Sequence, residues 1–230
     1  MDQLKGELIW VNTNGKQFSK VDLDDIIYVK GLDKKSELFT TNNSRLIIFH
    51  SLATIQKMLN SKRFYRVHKS YIVNLDYVDS IYKKTSEILM RNLDPIPLPK
   101  SKKVSFEKLF VDYFQMGIHN NINPIIIELN GYDCKAKVDL SEIYYFKAKG
   151  KKSAIFDQSR TVIEVDHMIG ELEHMLTNRQ FFRCNRSYLV NLNHVIHFNT
   201  SKPEVILANG EQIPVSNERK EDMMRILGFS

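Results

Sequence analysis

The stretch FYRVHKSYIVNL at residues 64–75 recurs with few changes as FFRCNRSYLVNL at residues 181–192. The two stretches are 117 positions apart, and the same offset places VDL at residues 21–23 over VDL at residues 138–140. An offset that stays constant over more than fifty residues is typical of a duplicated domain, because unrelated segments do not remain in register. The sequence therefore predicts two copies of one domain.

The two copies account for almost the whole chain of 230 residues. We predict a first domain at residues 1–121 and a second at residues 122–230, because the Gly, Asn and Pro residues near 116–124 are typical of a boundary. The first copy carries 19 Lys and Arg against 13 Asp and Glu, whereas the second has 14 of each. The formal net charge of +6 therefore lies in the first copy, which is consistent with an anionic partner.

Each copy shows the same order of short strands, turns and helices. Asn-Gly pairs at residues 14–15, 130–131 and 209–210 predict hairpin turns, since both residue types tolerate a positive φ. Apolar residues spaced along one face predict short helices at residues 52–59 and 169–176.

A longer helix is predicted at the end of each copy, at residues 105–116 in the first and from the N-cap Ser216 to Leu227 in the second. A basic loop follows a strand in both copies, at residues 30–35 and at residues 147–152. The fold class that we predict is mainly β, with two tandem antiparallel β domains that each contain short helices.

The sequence contains no familiar catalytic or phosphate-binding motif. Cys134 and Cys184 are its only cysteines, too few for a zinc site of thiolates or a disulfide framework. His194 and His197 are three residues apart, and in a strand such side chains point to opposite faces. We therefore expect no enzymatic activity, no cofactor and no metal.

Nothing in the sequence indicates a membrane or an export signal. The longest apolar runs, such as residues 125–127, are far shorter than the roughly 18 residues of a membrane-spanning helix. The first ten residues lack a positive segment followed by a long apolar one. We expect a cytoplasmic protein with no membrane partner.

A short polar cluster precedes a strand pattern in each copy, His-Lys-Ser at residues 68–70 and Asn-Arg-Ser at residues 185–187. Such side chains can donate hydrogen bonds to phosphates or to base edges. In a single copy, a serine that caps a turn and a solvated lysine would explain the cluster equally well. Its recurrence in both copies favours a function in binding.

The pattern Phe-x-Arg-x-His-[Lys/Arg]-Ser-Tyr-Ile-Val-Asn resembles the signature of the LytTR family of bacterial DNA-binding domains. The short helix before it and the Ile-Pro pairs at residues 96–97 and 213–214 are similar to that family as well. The resemblance covers about residues 8–112 and 125–228. It implies an elongated, mostly antiparallel β domain without a recognition helix, whose loops enter the major grooves of direct-repeat sites.

The resemblance also implies DNA contacts on three loops of each copy. In the first copy the matching positions are Lys34 and Lys35 in the basic loop, His68, Lys69 and Ser70 in the signature loop, and Lys100, Lys102 and Lys103 in the final loop. In the second copy they are Lys149, Lys151, Lys152, Asn185, Arg186, Ser187, Asn217 and Arg219. Glu218 stands beside Asn217 and repels phosphate. We therefore expect the first copy to bind DNA more strongly.

The prediction is thus a tandem transcription regulator that binds double-stranded DNA at a direct-repeat operator as a monomer. One alternative is a protein-interaction module, in which one copy, the second more readily, has lost DNA binding and pairs with another regulator. Another is an enzyme acting on nucleic acid, which needs clustered carboxylates for Mg²⁺. Asp76 and Asp79 lie nearest the signature, but their counterparts are Asn193 and Ile196, which argues against an enzyme.

Overall fold

The computed structural model describes residues 7–13, 16–115, 124–129, 133–159, 162–177 and 179–228. The turns predicted at residues 14–15 and 130–131 and the boundary predicted near residues 116–124 lie wholly or mainly outside these ranges. The chain forms two compact units. Unit 1 comprises residues 1–120 and 134–137, and unit 2 comprises residues 121–133 and 138–230.

Unit 1 contains three antiparallel sheets among its described residues. The first pairs β1 (Leu8–Asn12) with β2 (Phe18–Asp22). The second is formed by β3 (Ile26–Leu32), β4 (Lys35–Thr40), β5 (Arg45–Ile48), β6 (Phe64–His68) and β7 (Tyr71–Asn74), in the order β5-β4-β3-β7-β6. The third is formed by β8 (Val78–Tyr82), β9 (Glu87–Met90) and β10 (Pro95–Pro97), in the order β10-β9-β8, and residues 134–136 also pair with β8.

Unit 2 repeats this plan. It begins with β11 (Pro124–Leu129) and with the end of β12 (Cys134–Asp139), whose first four residues belong to unit 1. A sheet is then formed by β13 (Ile143–Lys149), β14 (Lys152–Asp157), β15 (Val162–Val165), β16 (Phe181–Asn185) and β17 (Tyr188–Asn191). Its order is β15-β14-β13-β17-β16, and β11 pairs with β15. A second sheet, in chain order, contains β18 (Val195–Asn199), β19 (Glu204–Leu207) and β20 (Gln212–Pro214).

The helices are short and lie at corresponding places in the two copies. They are α1 (Leu52–Met58), α2 (Lys100–Gln115), α3 (Ile169–Met175) and α4 (Asn217–Ile226). Strands make up 48% of the described residues, and helices make up 25% when short 3₁₀ turns are counted with α1 to α4, which confirms the mainly β fold predicted from the sequence.

Each five-stranded sheet packs against the short helix predicted beside it. Leu52 and Ile55 of α1 share a core with Val29 of β3, and in unit 2 Leu172 of α3 shares a core with Phe146 of β13. Removing such side chains from water is the main force that holds a helix of two turns in place. The apolar spacing that predicted the two helices thus corresponds to their buried faces.

The basic loops expected at residues 30–35 and 147–152 are shorter than predicted. The strands continue to Leu32 and Lys149 and resume at Lys35 and Lys152, so each connection is a two-residue hairpin turn. The φ angles are 53° at Asp33 and 64° at Gly150, as tight hairpin turns require. Most of these basic residues therefore extend from strands and not from a flexible loop.

The helix at the end of the first copy begins at Lys100 and not at Ser105 as predicted. Lys100, Lys102 and Lys103 therefore stand in its first turn and not in a loop. The amide of Lys102 donates to the carbonyl of Pro99 at 2.8 Å, which starts the helix directly after a proline. In unit 2 Ser216 is the N-cap residue, as predicted, although its side chain makes no capping hydrogen bond.

Candidate nucleic-acid interface

Strand pairing brings two turns to the same end of the five-stranded sheet in unit 1. β3 pairs with β7, and beyond the last pair the amide of Gly31 donates to the carbonyl of Ser70 at 2.8 Å. The hairpin turn at residues 33–34 therefore lies close in space to the turn at residues 69–70. We call the turn at residues 69–70 the signature turn. The counterparts of these two residues in unit 2 make the same bond, also at 2.8 Å.

The first side chain of the polar cluster holds the signature turn together. The Nδ1 atom of His68 accepts from the amide of Ser70 at 3.2 Å, and the Oδ1 atom of Asn185 accepts from the amide of Ser187 at 2.8 Å. Asparagine thus replaces histidine without loss of the acceptor. The Nδ2 atom of Asn185 also donates to the carbonyl of Pro214 at 2.6 Å, so this side chain is engaged at both polar atoms.

An arginine from the preceding strand braces each signature turn from behind. Arg66 donates to the carbonyl of Lys69 at 2.9 Å, and Arg183 donates to the carbonyl of Arg186 at 3.2 Å. The side chains of Lys69 and Arg186 remain exposed at the turn. The bracing role was missed from the sequence, although the presence of this arginine in both copies was a signal for it.

The start of the C-terminal helix of each copy lies against the signature strand. In unit 1 the Nζ atom of Lys102 donates to the carbonyl of Arg66 at 2.7 Å. In unit 2 the amide of Ser216 donates to the carbonyl of Cys184 at 2.9 Å. Pro99 stands at the position that corresponds to Ser216 and has no amide hydrogen to donate. Three segments thus meet at one end of each unit: the β3–β4 or β13–β14 turn, the signature turn and the first helical turn.

The cations of this end are uncompensated in unit 1. Lys34, Lys69 and Lys100 are exposed and form no ion pair with a carboxylate among the described residues. The ammonium of Lys35 lies 4.0 Å from the ring centre of Phe49. The remaining two, Lys102 and Lys103, donate to backbone carbonyls, the latter to Lys83 at 2.7 Å.

Most cations at the corresponding end of unit 2 are paired with acids. Lys149 contacts Glu164 at 2.6 Å, Lys152 contacts Asp166 at 2.7 Å, and Arg219 contacts Glu173 at 3.5 Å. Three predicted contact residues are exposed and form no such pair with any described residue: Lys151 at the hairpin turn, Arg186 at the signature turn and Asn217 at the start of α4.

The paired acids have no acidic counterpart in the first copy. Ile47, Phe49 and Gln56 stand where unit 2 has Glu164, Asp166 and Glu173. The two copies therefore carry cations at the same end, but acidic side chains neutralise most of these cations only in unit 2. This difference adds to the net charge of +6 that lies in the first copy.

The asparagine that ends each signature is a buried structural residue. Asn74 donates to the carbonyl of Ile26 at 2.8 Å, and Asn191 donates to the carbonyls of Leu140 at 3.0 Å and Ile143 at 2.9 Å. Buried polar groups of this kind are retained when their hydrogen bonds are satisfied. These residues connect the signature strand to the start of the neighbouring strand, and they do not reach the surface.

Two observations on the described residues concern thiol reactivity and metal binding. Cys184 is buried, and burial raises the pKa of its thiol to about 12, so it stays protonated as expected for a core residue. The described residues hold no group of three or more potential metal ligands. Among them, no helix has both the length and the apolar character needed to cross a membrane.

Comparison with known proteins identifies the family. Residues 16–110 and 134–228 each match the LytTr DNA-binding domain. The chain is 30% identical over 98 residues to the sensory transduction protein LytT of Bacillus subtilis (strain 168), a match that covers 41% of this chain and 40% of that protein. LytT of Bacillus anthracis is 26% identical over 92 residues, which covers 39% of this chain and 37% of that protein.

A solved structure, the LytTr DNA-binding domain of a Bacillus cereus protein, is 27% identical. The alignment covers 46% of this chain and 97% of that structure, with a TM-score of 0.40. The match to LytT of Bacillus subtilis takes in only about 40% of that protein's length. The family match itself extends over most of this chain and occurs twice. The chain belongs to the LytTR family of DNA-binding domains and carries two of these domains in tandem.

Proposed function

We propose that this chain binds double-stranded DNA sequence-specifically and regulates transcription, with each unit presenting its signature turn to the major groove of a direct-repeat operator. The family is one of DNA-binding domains. Binding to DNA requires neither a catalytic group nor a cofactor. We infer that this chain is not an enzyme and does not depend on a cofactor.

The observation that carries the proposal is the convergence of three cation-bearing segments at one end of each unit. Phosphate contacts orient a protein on a duplex, and side chains at the groove read the bases. We assign phosphate contacts to Lys34, Lys35 and Lys100 in unit 1 and to Lys151 in unit 2. The exposed side chains of Lys69 and Arg186 are assigned to base edges, since both residue types pair with guanine in the major groove.

The remaining residues of the candidate interface support these contacts. His68, Ser70, Asn185 and Ser187 shape the signature turns by the hydrogen bonds described above. Lys102 and Lys103 fix the start of α2 through backbone carbonyls. Asn217 and Arg219 occupy the first turn of α4, and Lys149 and Lys152 reach DNA only by exchanging an acid partner for a phosphate.

A second candidate function applies to unit 2 alone. Its ion pairs and the exposed Glu218 reduce the attraction to phosphate, which favours a protein-interaction module that pairs with another regulator. The choice between the two functions rests on whether the cations of unit 2 release counterions from DNA.

The decisive experiment measures affinity against salt concentration with a duplex selected from a random pool. In the full chain, replacing Lys34 and Lys35 together with alanine should flatten the log–log slope by about two, since each phosphate neutralised contributes roughly 0.9. The matched variant replaces Lys149 and Lys152, which carry the same charge but are ion-paired. It should flatten the slope by less than half as much.

Two results would count against the proposal. An unchanged slope in the Lys34 and Lys35 variant would place that turn away from the DNA. Absence of any duplex binding by the full chain near physiological salt would reject DNA binding for both units. If only the variants of unit 2 leave affinity and slope untouched, unit 2 is the interaction module.

A further inference from the structure

The two units build the same aromatic pair beside a carboxylate, at the end of β4 or β14 that lies away from the hairpin turn. In unit 1 the hydroxyl of Tyr28 donates to Asp94 at 2.8 Å, and its ring stacks on Phe39 at 4.1 Å between centres. In unit 2 Tyr145 stacks on Phe156 at 4.4 Å, and the charge of Glu211 contributes to a raised pKa of its hydroxyl. The loss of solvent around both tyrosines is the main cause of their raised pKa, so both hydroxyls stay protonated and Tyr28 donates its hydrogen bond to Asp94.

In unit 1 the chain covers this aromatic pair with its own cation. The guanidinium carbon of Arg45 lies 5.2 Å from the ring centre of Phe39, within the range of an attractive cation–π contact. Phe39 is only 8% exposed. The cleft that remains between Arg45, Asn92 and Asp94 has a volume of about 220 Å³.

In unit 2 no described residue supplies this cation. Val162 stands at the position of Arg45, and the cleft bounded by Tyr145, Phe156, Val162 and Glu211 has a volume of about 620 Å³. Phe156 is correspondingly more exposed than Phe39. A cleft of this size is in the range of small-molecule sites.

The charge of the cleft changes along with its volume. Asp157 lines it where unit 1 has Thr40. Among the described residues, the second copy therefore lacks the cation that Arg45 supplies and has one more acid beside the same aromatic pair. Glu211 forms no ion pair among the described residues.

We propose that this cleft of unit 2 binds a guanidinium group, which takes the place that Arg45 occupies in unit 1. The planar group can stack on Phe156 and donate to Glu211 at the same time, as a compact ammonium cannot. The group comes from a small molecule or from an arginine side chain of another protein, and both present the same chemistry. The site is separate from DNA reading, because β14 extends about 17 Å from Lys152 at the hairpin turn to Asp157 at the cleft.

The test titrates the full chain with argininamide and follows amide signals of β14 and β19 by NMR. Citrulline amide, a neutral isostere, and lysinamide are the control ligands. An alanine pentapeptide with one central arginine represents an arginine side chain presented by another protein. We expect saturation with argininamide, with the peptide or with both, according to the source. Binding of citrulline amide or lysinamide equal to that of argininamide would overturn the proposal.

Matched variants locate the group. Glu211→Gln should weaken binding about tenfold, since a charge-assisted hydrogen bond is roughly twice as strong as a neutral one. Val162→Arg should abolish binding by restoring the arrangement of unit 1, while the affinity for DNA stays unchanged. Arg45→Ala should open the counterpart cleft and add a second, weaker site in unit 1.

The nearby Arg160 is the chain's own competing cation. It stands two positions before Val162 in the sequence and lies outside the described residues. Argininamide binding that appears only in the Arg160→Ala variant would make this side chain the occupant and overturn the ligand site. Unchanged binding in both Val162→Arg and Glu211→Gln would do the same.

Discussion

The signature contains residues with four different tasks, and their identity alone does not separate them. Arg66 braces the turn, His68 shapes it, Asn74 is buried at the other end of β7, and Lys69 faces solvent. All four are polar and close in sequence, so a pattern of residue types predicts a functional segment but not the direction of each side chain. That direction depends on which carbonyls the neighbouring strand offers, which is a property of the folded sheet.

Asn191 provides a test of the buried role. Asn191→Ala removes the donor to two buried carbonyls and the acceptor of the Asn193 amide, and each unsatisfied buried group costs about 1–3 kcal/mol. We expect faster amide hydrogen exchange in β13 and β17, which reports local stability. Asn193→Ala, at an exposed side chain, is the control and should leave exchange unchanged. Equal exchange in the two variants would contradict the structural role.

Arg186 provides a test of base reading. Arg186→Ala should relax one position of the selected site and cost about 1–3 kcal/mol of discrimination, because the bidentate pair with guanine is lost. Arg186→Lys keeps the charge without the fork of donors, so it should keep the salt dependence and lose most of the discrimination. A repeated sequence selection with both variants measures this. Retention of the full base preference by the alanine variant would remove Arg186 from the reading residues.

At the level of elements, the strands and short helices were predictable and their ends were not. The apolar spacing that predicts α2 starts near Ser105, but the helix begins at Lys100, because its first turn is polar and therefore carries no periodic signal. The hairpin turns are shorter than the runs of basic residues suggested, because lysines can extend a strand at its exposed end. The candidate interface is thus made of element ends, where sequence patterns are least informative.

The ion pairs of α3 suggest a variant that should strengthen DNA binding. Glu173 accepts from Arg183 at 2.7 Å and contacts Arg219 at 3.5 Å, whereas the counterpart in unit 1 is Gln56, which accepts from Arg66 at 3.2 Å. Glu173→Gln therefore keeps the brace, leaves Arg219 with the longer contact to Asp222 at 3.7 Å and should steepen the salt slope by up to about one. Glu221→Gln, which changes the same charge at an exposed position of α4, is the control. Equal slopes in both variants would mean that Arg219 does not contact phosphate.

At the scale of the whole molecule, the repeat was the most informative property of the sequence. A single offset of 117 residues predicted two related domains, and the two family matches, which begin at residues 16 and 134, agree with it to within one residue. The assignment of residues 134–137 to unit 1 could not be predicted, because pairing between strands far apart in sequence leaves no local pattern. The difference between the two units in the pairing of cations with acids could not be predicted either, since it depends on which acids lie beside which basic side chains in the folded sheet.

The tandem arrangement predicts a dependence on operator spacing. Two covalently joined readers give the second binding step an effective concentration of order mM, so one chain should occupy two half-sites of the same orientation. Inserting about 5 bp between them should abolish the gain in affinity by turning one half-site to the far side, and inserting about 10 bp should restore it. Gel shifts of the full chain measure this. Equal affinity at every spacing would mean that a single unit binds DNA.

The unequal neutralisation of the two units also has a kinetic consequence during the search for an operator. If the chain binds DNA as proposed, sequence-independent binding comes mainly from uncompensated cations, so we expect unit 1 to determine how long the chain dwells on random DNA. We expect unit 2 to exchange its ion pairs for contacts with phosphate only where its base contacts fit. Such a chain would leave wrong sites quickly and remain long at the right one, as a scanning protein requires.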